Sequence, residues 1–369
     1  MYVTKPVSVY RRSPQSLSLP PPEGPNSGYL ILHDDELVEI TCCGCGDDWV
    51  KDLPFPQNKD LTVRHGSDED KVTFIPVLNQ PLSSNRYHVI LRRGNHKGEA
   101  CTNSREEDME IDCCGCTNVP DAKPKPLEPS DGGSYRRGYF VAKSVDPDGF
   151  PPSFLRRKWW TVTMHTPRHY RLGEALGLNS SLRARLLGFD FPLSHDCSEA
   201  VLVGKWYCPF MFVKEGGVRL KDQMTKCMFY EIRLEQRWEK ILNSVNENVE
   251  GKNKGGCVCG CLCSKRGGFC WWSEAIWDER NRRNRSGIEH KVVERMKWEQ
   301  ERVGWVGGNE RRVRVERVEE FGGTGGRWKR FGCYVLVERF VLKRMSMNGS
   351  LALLTYDFKH THQIRSKWE

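Results

Sequence analysis

The sequence predicts an α+β, mainly β protein built from two or three tandem antiparallel β-rich units, sandwich-like, with a few short helices. Three observations carry that expectation. Short apolar and aromatic runs alternate with turn clusters along most of the 369 residues, one strand pattern recurs, and Pro-rich and Gly-rich breaks divide the chain.

The recurring pattern is clearest at Val203-Gly-Lys-Trp-Tyr-Cys-Pro-Phe-Met-Phe-Val213, where bulky apolar residues run almost without interruption. Such a run reads as a central strand covered on both faces, and Pro209, with no N–H to donate, requires a bulge or an unpaired position. Met228-Phe-Tyr-Glu-Ile-Arg-Leu234 follows as a half-buried strand. Towards the C-terminus Phe331-Gly-Cys-Tyr-Val-Leu-Val337 and Leu351-Ala-Leu-Leu-Thr-Tyr-Asp-Phe358 repeat the pair, and Cys208 to Cys333 is spaced like Tyr230 to Tyr356 to within one residue. Phe74-Ile-Pro-Val-Leu78 with Tyr87-His-Val-Ile-Leu91 reads as a shorter third version. Internal duplication is the preferred reading, against chance likeness of short aromatic strands, and the spacing makes the units domain-sized.

In chain order, residues 1–27 form a Pro/Ser-rich arm in which Leu19-Pro-Pro-Pro22 favours an extended polyproline conformation. Residues 28–117 make a first β-rich unit, punctuated by Pro56-Gln-Asn-Lys59 and Gly66-Ser-Asp-Glu-Asp70. Residues 118–133, with Pro120, Pro124, Pro126 and Pro129, read as a linker. A second β-rich unit spans 134–248, with helical turns expected from Leu172 to Gly177 and from Ser180 to Leu187, the latter capped by serine. Leu234, Trp238, Ile241, Leu242 and Val245 fall at helical spacing and predict a helix closing this unit. A Gly/Lys/Cys-rich loop fills 249–268. The third unit, 269–369, is expected to hold a helix from Gly287 to Arg302, a strand through Val313, Val315 and Val318, and the strands at Phe331 and Leu351.

Net charge is +9, but Arg and Glu interleave almost residue by residue between Asp278 and Arg344. A nucleic-acid footprint is one-signed, so this pattern speaks against such a partner and for a solvated, salt-paired face. No apolar run approaches the roughly eighteen residues of a membrane-spanning helix, and the first residues carry no apolar leader. The expected compartment is therefore the cytosol or nucleus rather than the exterior, where the 16 cysteines stay reduced.

Cysteine is the residue type arranged for chemistry. Cys42, Cys43 and Cys45 in Ile40-Thr-Cys-Cys-Gly-Cys45 have near copies in Cys113, Cys114 and Cys116. If the ends of the first unit meet, these six thiols suffice for a tetrahedral zinc site, although Cys-Cys-x-Cys is not the usual two-residue-spaced knuckle. The alternative is six idle thiols packing as small hydrophobes, with no cofactor. Cys257-Val-Cys-Gly-Cys-Leu-Cys263, with Cys270 beyond, allows soft-metal wrapping, or a lipidated loop touching a membrane through Lys252, Lys254, Lys265, Arg266 and Trp271-Trp272. A loop without chemistry is the reading preferred over both. His360-Thr-His362 places two imidazoles on one strand face, and His195 sits near a turn; both are expected to face solvent. No phosphate loop, nucleophile elbow, zincin or dinucleotide motif is present.

Five blocks taken together resemble a known family: Ser18-Leu-Pro-Pro-Pro-Glu-Gly-Pro-Asn-Ser-Gly-Tyr29, Phe74-Ile-Pro-Val-Leu-Asn-Gln-Pro-Leu-Ser-Ser-Asn-Arg-Tyr87, Gly204-Lys-Trp-Tyr-Cys-Pro-Phe210, Glu299-Gln-Glu-Arg-Val-Gly-Trp-Val-Gly-Gly308 and Phe358-Lys-His-Thr-His-Gln-Ile-Arg-Ser-Lys-Trp-Glu369. They are similar to a plant-specific family, domain of unknown function 1262. That resemblance implies no activity and carries over no site residue. Some members bear the label "insecticidal crystal toxin domain", which the sequence does not support by way of long amphipathic helices. The leading expectation is a non-enzymatic interaction protein of the plant cytosol or nucleus, whose aromatic and mixed-charge surfaces meet another protein. A metal- or small-ligand-binding β protein using the cysteine clusters is second, and an enzyme third.

Overall fold

The computed structural model describes residues 2–5, 12–13, 15, 28–31, 48–77, 80–108, 110–111, 117–118, 130–136, 138–213, 215, 217–245, 268–276, 312–320, 328–345 and 351–369. Its large sheets use, in chain order, β1 (Tyr2–Lys5), β2 (Gly28–Ile31), β3 (Trp49–Val50), β4 (Asp60–His65), β5 (Asp68–Pro76), β6 (Arg86–Leu91), β7 (Ser130–Arg136), β8 (Tyr139–Ser144), β9 (Thr161–His165), β10 (Gly177–Leu178), β11 (Val201–Pro209), β12 (Phe229–Val245), β13 (Arg330–Arg344) and β14 (Leu351–Trp368). Short helices are α1 (Ser153–Arg156), α2 (Ser180–Ala184) and α3 (Leu220–Lys226). The mainly β, antiparallel class expected from the sequence is the observed one, and two packed sheets give it a sandwich-like form.

The first sheet has the order β8-β7-β6-β5-β4-β9-β3. Its two edges meet, because Gly138 N donates to Lys51 O at 2.7 Å and Phe140 N to Trp160 O at 2.9 Å. The sheet thereby curls around Phe55, Phe74, Tyr87, Phe140 and Trp160, all almost fully buried. Phe55 stacks on Phe74 with centroids 4.5 Å apart, and Phe55 N donates to the Tyr87 hydroxyl at 3.2 Å. That closure draws β7, β8 and β9 into one sheet with β4 to β6, so strands on both sides of the 118–133 stretch share a core.

The second sheet runs β2-β1-β11-β12-β13-β14, with β10 also pairing β11. Only β1 beside β2 is a parallel pair among the described strands. As expected, β11 is an interior strand with Val203, Trp206, Tyr207 and Cys208 buried. Pro209 ends it, and the bulge lies instead at Leu202/Gly204, after which Phe210–Phe212 turns as a 3-10 helix. The outer face of the first sheet packs onto this one: Ile75, Ile90 and Ala100 share a core with Tyr207, Phe212, Phe229 and Tyr230.

Three helix expectations resolve differently. Residues Leu234 to Val245 are not helical but continue β12, a strand of 17 residues and roughly 55 Å. An i,i+4 repeat fits a strand face as well as a helix face, and the bulge at Lys240/Leu242 shifts the phase so that Ile241 and Leu242 complete a false helical pattern. Leu172 to Gly177 forms no helical turn; Leu172 and Ala175 are buried and the chain leads into β10. Ser180 does open a helix, α2, but its cap is Asn179, whose Oδ1 accepts from Leu182 N at 2.8 Å. The helix expected from Gly287 to Arg302 lies outside the described residues.

Spacing between the repeated strands does not carry over to their pairing. Cys208 stands opposite Tyr230, whereas Cys333 pairs with Ser366 and Tyr356 with Phe340.

Candidate functional site

Strand β9 lies between the two accessible features of the first sheet, exposed aromatic rings of a patch on its neighbours β3 and β8 and just before its start, and a basic cleft at its end. At the start, alternation sends Phe140 and Trp160 into the core while Tyr139 and Trp159, one residue earlier in each case, turn out. Trp49 stands across from Thr163 on the neighbouring β3. The three rings are 43%, 45% and 58% exposed for Trp49, Tyr139 and Trp159. Trp159 also holds φ at +66°, a left-handed conformation that a bulky side chain rarely adopts. Around the patch the charges are mixed: Lys51 and Lys158 are exposed, as are Asp48 and Asp52, and Arg157 is bound to Asp68 at 2.6 Å.

Beyond His165, roughly 20 Å along the chain from Trp159 at strand spacing, a cavity of about 640 Å³ opens against the outer face of β4 and β5. Thr62 and Lys71, partners across the β4–β5 ladder, form part of its floor. Arg92 and Arg93 enter after β6; His165 ends β9, and Thr166, Arg168 and His169 follow it. The carboxylate lining it, Asp60, is ion-paired with Arg92. Beneath the rim the Tyr170 hydroxyl donates to Gln57 O at 3.2 Å. Burial, with Asp60 beside it, pushes the Tyr170 hydroxyl far up. The sequence signal for the cleft is Arg92-Arg93 together with His165-Thr-Pro-Arg-His169, two short basic clusters that only the fold brings together.

Two further clusters hold the second sheet together. Glu338 on β13 is 2% exposed and receives Arg183 of α2 through both prongs, with Gln236 at 3.0 Å and His360 Nε2 at 3.2 Å. Desolvation pushes this carboxyl up, but the His360 imidazole and the Arg183 guanidinium outweigh it and hold it down at about 2. Glu215, reached by Arg344 and by the Tyr230 hydroxyl, is the second. Beside it burial pushes the Cys227 thiol up to about 12, against the opposing hydrogen bond from Met345 N.

The sequence-derived candidates fare unevenly. Cys42, Cys43, Cys45, Cys113, Cys114 and Cys116 lie outside the described residues, as do 257–267. The backbone of Cys270 belongs to a two-stranded antiparallel sheet of Gly268–Ile276 with Arg312–Glu320. Among the described residues no group of three or more His, Cys, Asp or Glu is placed to hold a metal ion. His195 is exposed, as expected. His360 corrects the expectation of solvent exposure, since it is 4% exposed against Glu338. A register shift between Val335 and Leu336 leaves 361–363 without partners on β13, so an i,i+2 reading of His360 and His362 has no regular strand beneath it. Glu338 likewise corrects the expected solvated face within the interleaved charges.

Comparison with known proteins places part of the chain. Residues 23–115 match the family described as "Protein of unknown function (DUF1262)". No curated protein matches the sequence. Among solved structures the chain is similar to the "Crystal structure of Cry35Ab1", with a TM-score of 0.43 and 9% identity over 85% of this chain and 90% of that one. A likeness that distant carries no argument about function. Among the described residues no helix is long and apolar enough to cross a membrane.

Proposed function

We propose that this is a non-enzymatic interaction protein, acting in the cytosol or nucleus, that docks another protein on the aromatic patch of Trp49, Tyr139 and Trp159. The observation that carries the reading is the outward turn of these three rings above a core that fixes them. Phe140 and Trp160, each adjacent in sequence to an exposed ring, pack 5.3 Å apart and hold both strand starts. Exposed Trp and Tyr rimmed by charges of both signs is the make-up of an interface centre, where a few aromatic side chains supply most of the binding energy. Left-handed backbone at Trp159 supports the reading, since strain at an exposed aromatic persists where presentation matters more than comfort. The groups with the strongest pKa shifts, among them Tyr170, Tyr230, Cys227 and Glu338, serve the core and its ion pairs.

A photo-cross-linking amino acid at position 139 tests it in cell extract. The expected result is a discrete adduct that excess unlabelled protein competes away and excess Trp159→Ser protein does not. Equal competition by both proteins would overturn the assignment.

A further inference from the structure

We propose that the basic cleft between β4, β5 and the 165–169 segment binds a small, multiply phosphorylated ligand. This site is separate from the aromatic patch and goes beyond the reading given above. Four cationic side chains, Lys71, Arg92, Arg93 and Arg168, line the cavity against the single carboxylate of Asp60, which Arg92 already engages. Among the described residues, Lys71, Arg93 and Arg168 have no carboxylate partner. Outside the cleft several arginines are paired instead: Arg64 with Glu69, Arg105 with Asp146 and Arg157 with Asp68. The cleft thus gathers three cations without a carboxylate partner around one concavity.

Its chemistry selects phosphate. Arginine forks bind phosphate oxygens through two parallel N–H donors, and lysine adds a point charge. Thr62 and Thr166 bring hydroxyls, and His165 and His169 bring ring nitrogens, so the lining is rich in donors. Its size selects multivalency. At about 640 Å³ the cavity falls within the range of small-ligand sites and exceeds what one phosphate fills. Cations approach it from three directions, β5, the end of β6 and the segment after β9, so at least two phosphate groups are needed to meet them all. A polynucleotide would ask for a one-signed stripe continuing past the cleft, and Asp68 and Glu69 at the start of β5 and Glu99 after β6 carry the opposite charge instead.

The test is calorimetric titration of the full chain with inorganic tripolyphosphate, beside flotation with phosphatidylcholine vesicles with and without phosphatidylinositol bisphosphate. We expect saturable binding, weakened about tenfold or more by Arg93→Glu and by Arg168→Glu, each removing a charge-assisted contact. Both side chains are exposed, so these variants fold. Arg157→Glu, outside the cleft, leaves binding unchanged. Tripolyphosphate binding points to a soluble ligand, and vesicle binding without it to a lipid headgroup; either supports the site. Absence of both, or binding indifferent to Arg93 and Arg168, overturns it and leaves only general attraction to a basic chain.

Discussion

Arg183 and Glu338 meet as a two-pronged ion pair, Nε to Oε1 at 2.9 Å and Nη2 to Oε2 at 2.8 Å, although 155 residues separate them. The pair pins the short helix α2 to the middle strands of the second sheet. Gln236 strengthens the clamp by donating to Glu338 Oε1 and to Arg183 O, both at 3.0 Å.

Removing one partner leaves a buried charge without its counterion. Arg183→Met is expected to destabilise the fold by about 3–5 kcal/mol, read as a lower urea midpoint at pH 7. Replacing both residues by apolar ones of similar volume costs less. A midpoint unchanged by Arg183→Met would show that water reaches Glu338 and takes over.

The same carboxylate sets an acid limit. Its folded pKa of about 2 lies below the ordinary 4.5, so its contribution is fully present above that value and is lost as pH falls towards 2. The depression corresponds to on the order of 3 kcal/mol. Urea titrations at pH 7 and pH 3 should differ more for the natural protein than for Glu338→Gln, which has no such proton to gain.

Gly204 sits at the bulge of β11, and a Cβ there would lie 2.5 Å from the Trp206 ring. Trp206 is fully buried and its ring cannot bend aside. Gly204→Ala is expected to cost about 1–3 kcal/mol through overpacking, with a shift in tryptophan emission as Trp206 moves. Thermal melts read the first effect and fluorescence the second.

Trp159 separates binding from folding. Trp159→Gly relieves a left-handed conformation worth about 1 kcal/mol to a residue with a Cβ, so its melting temperature should not fall. Adduct formation from position 139 should nevertheless be lost. A marked loss of stability in this variant would recast Trp159 as a structural residue.

Thiols report the packing independently. Cys197 is exposed, whereas Cys101, Cys208, Cys227 and Cys333 are buried. Iodoacetamide at pH 8 should modify Cys197 in the native protein and reach the other four only after denaturation. Cys227 should be slow on two counts, access and a thiol pushed up to about 12. Peptide mass mapping before and after urea distinguishes them.

Much of the fold was legible because strand chemistry is local. Trp206, Tyr207 and Cys208 announce an interior strand by being apolar at consecutive positions, and β4 and β5 are announced by Val63 and Phe74 flanking the Gly66 turn. What misled was the β12 segment. Leu234 and Trp238 are four apart in either periodicity, and only the partner strand β13 reveals the bulge that brings Leu242 into register with Cys333. His360 misled for the same reason: its burial depends on Glu338, a residue on another strand. Neither candidate surface was read from the sequence. Trp49, Tyr139 and Trp159 come from three separate segments, and so do Lys71, Arg93 and Arg168.

By itself the sequence determined the mainly β class and the placement of strands such as β4, β5, β6 and β11, since hydrophobic alternation, glycine and proline act over a few residues. The tertiary structure alone decided the register of the long strands, the closure of the first sheet through Gly138 and Phe140, and which charges lost their water. Those outcomes depend on neighbours supplied by distant segments. Burial turns Glu338 into a clamp, and the lack of it leaves Arg93 and Arg168 open to a ligand.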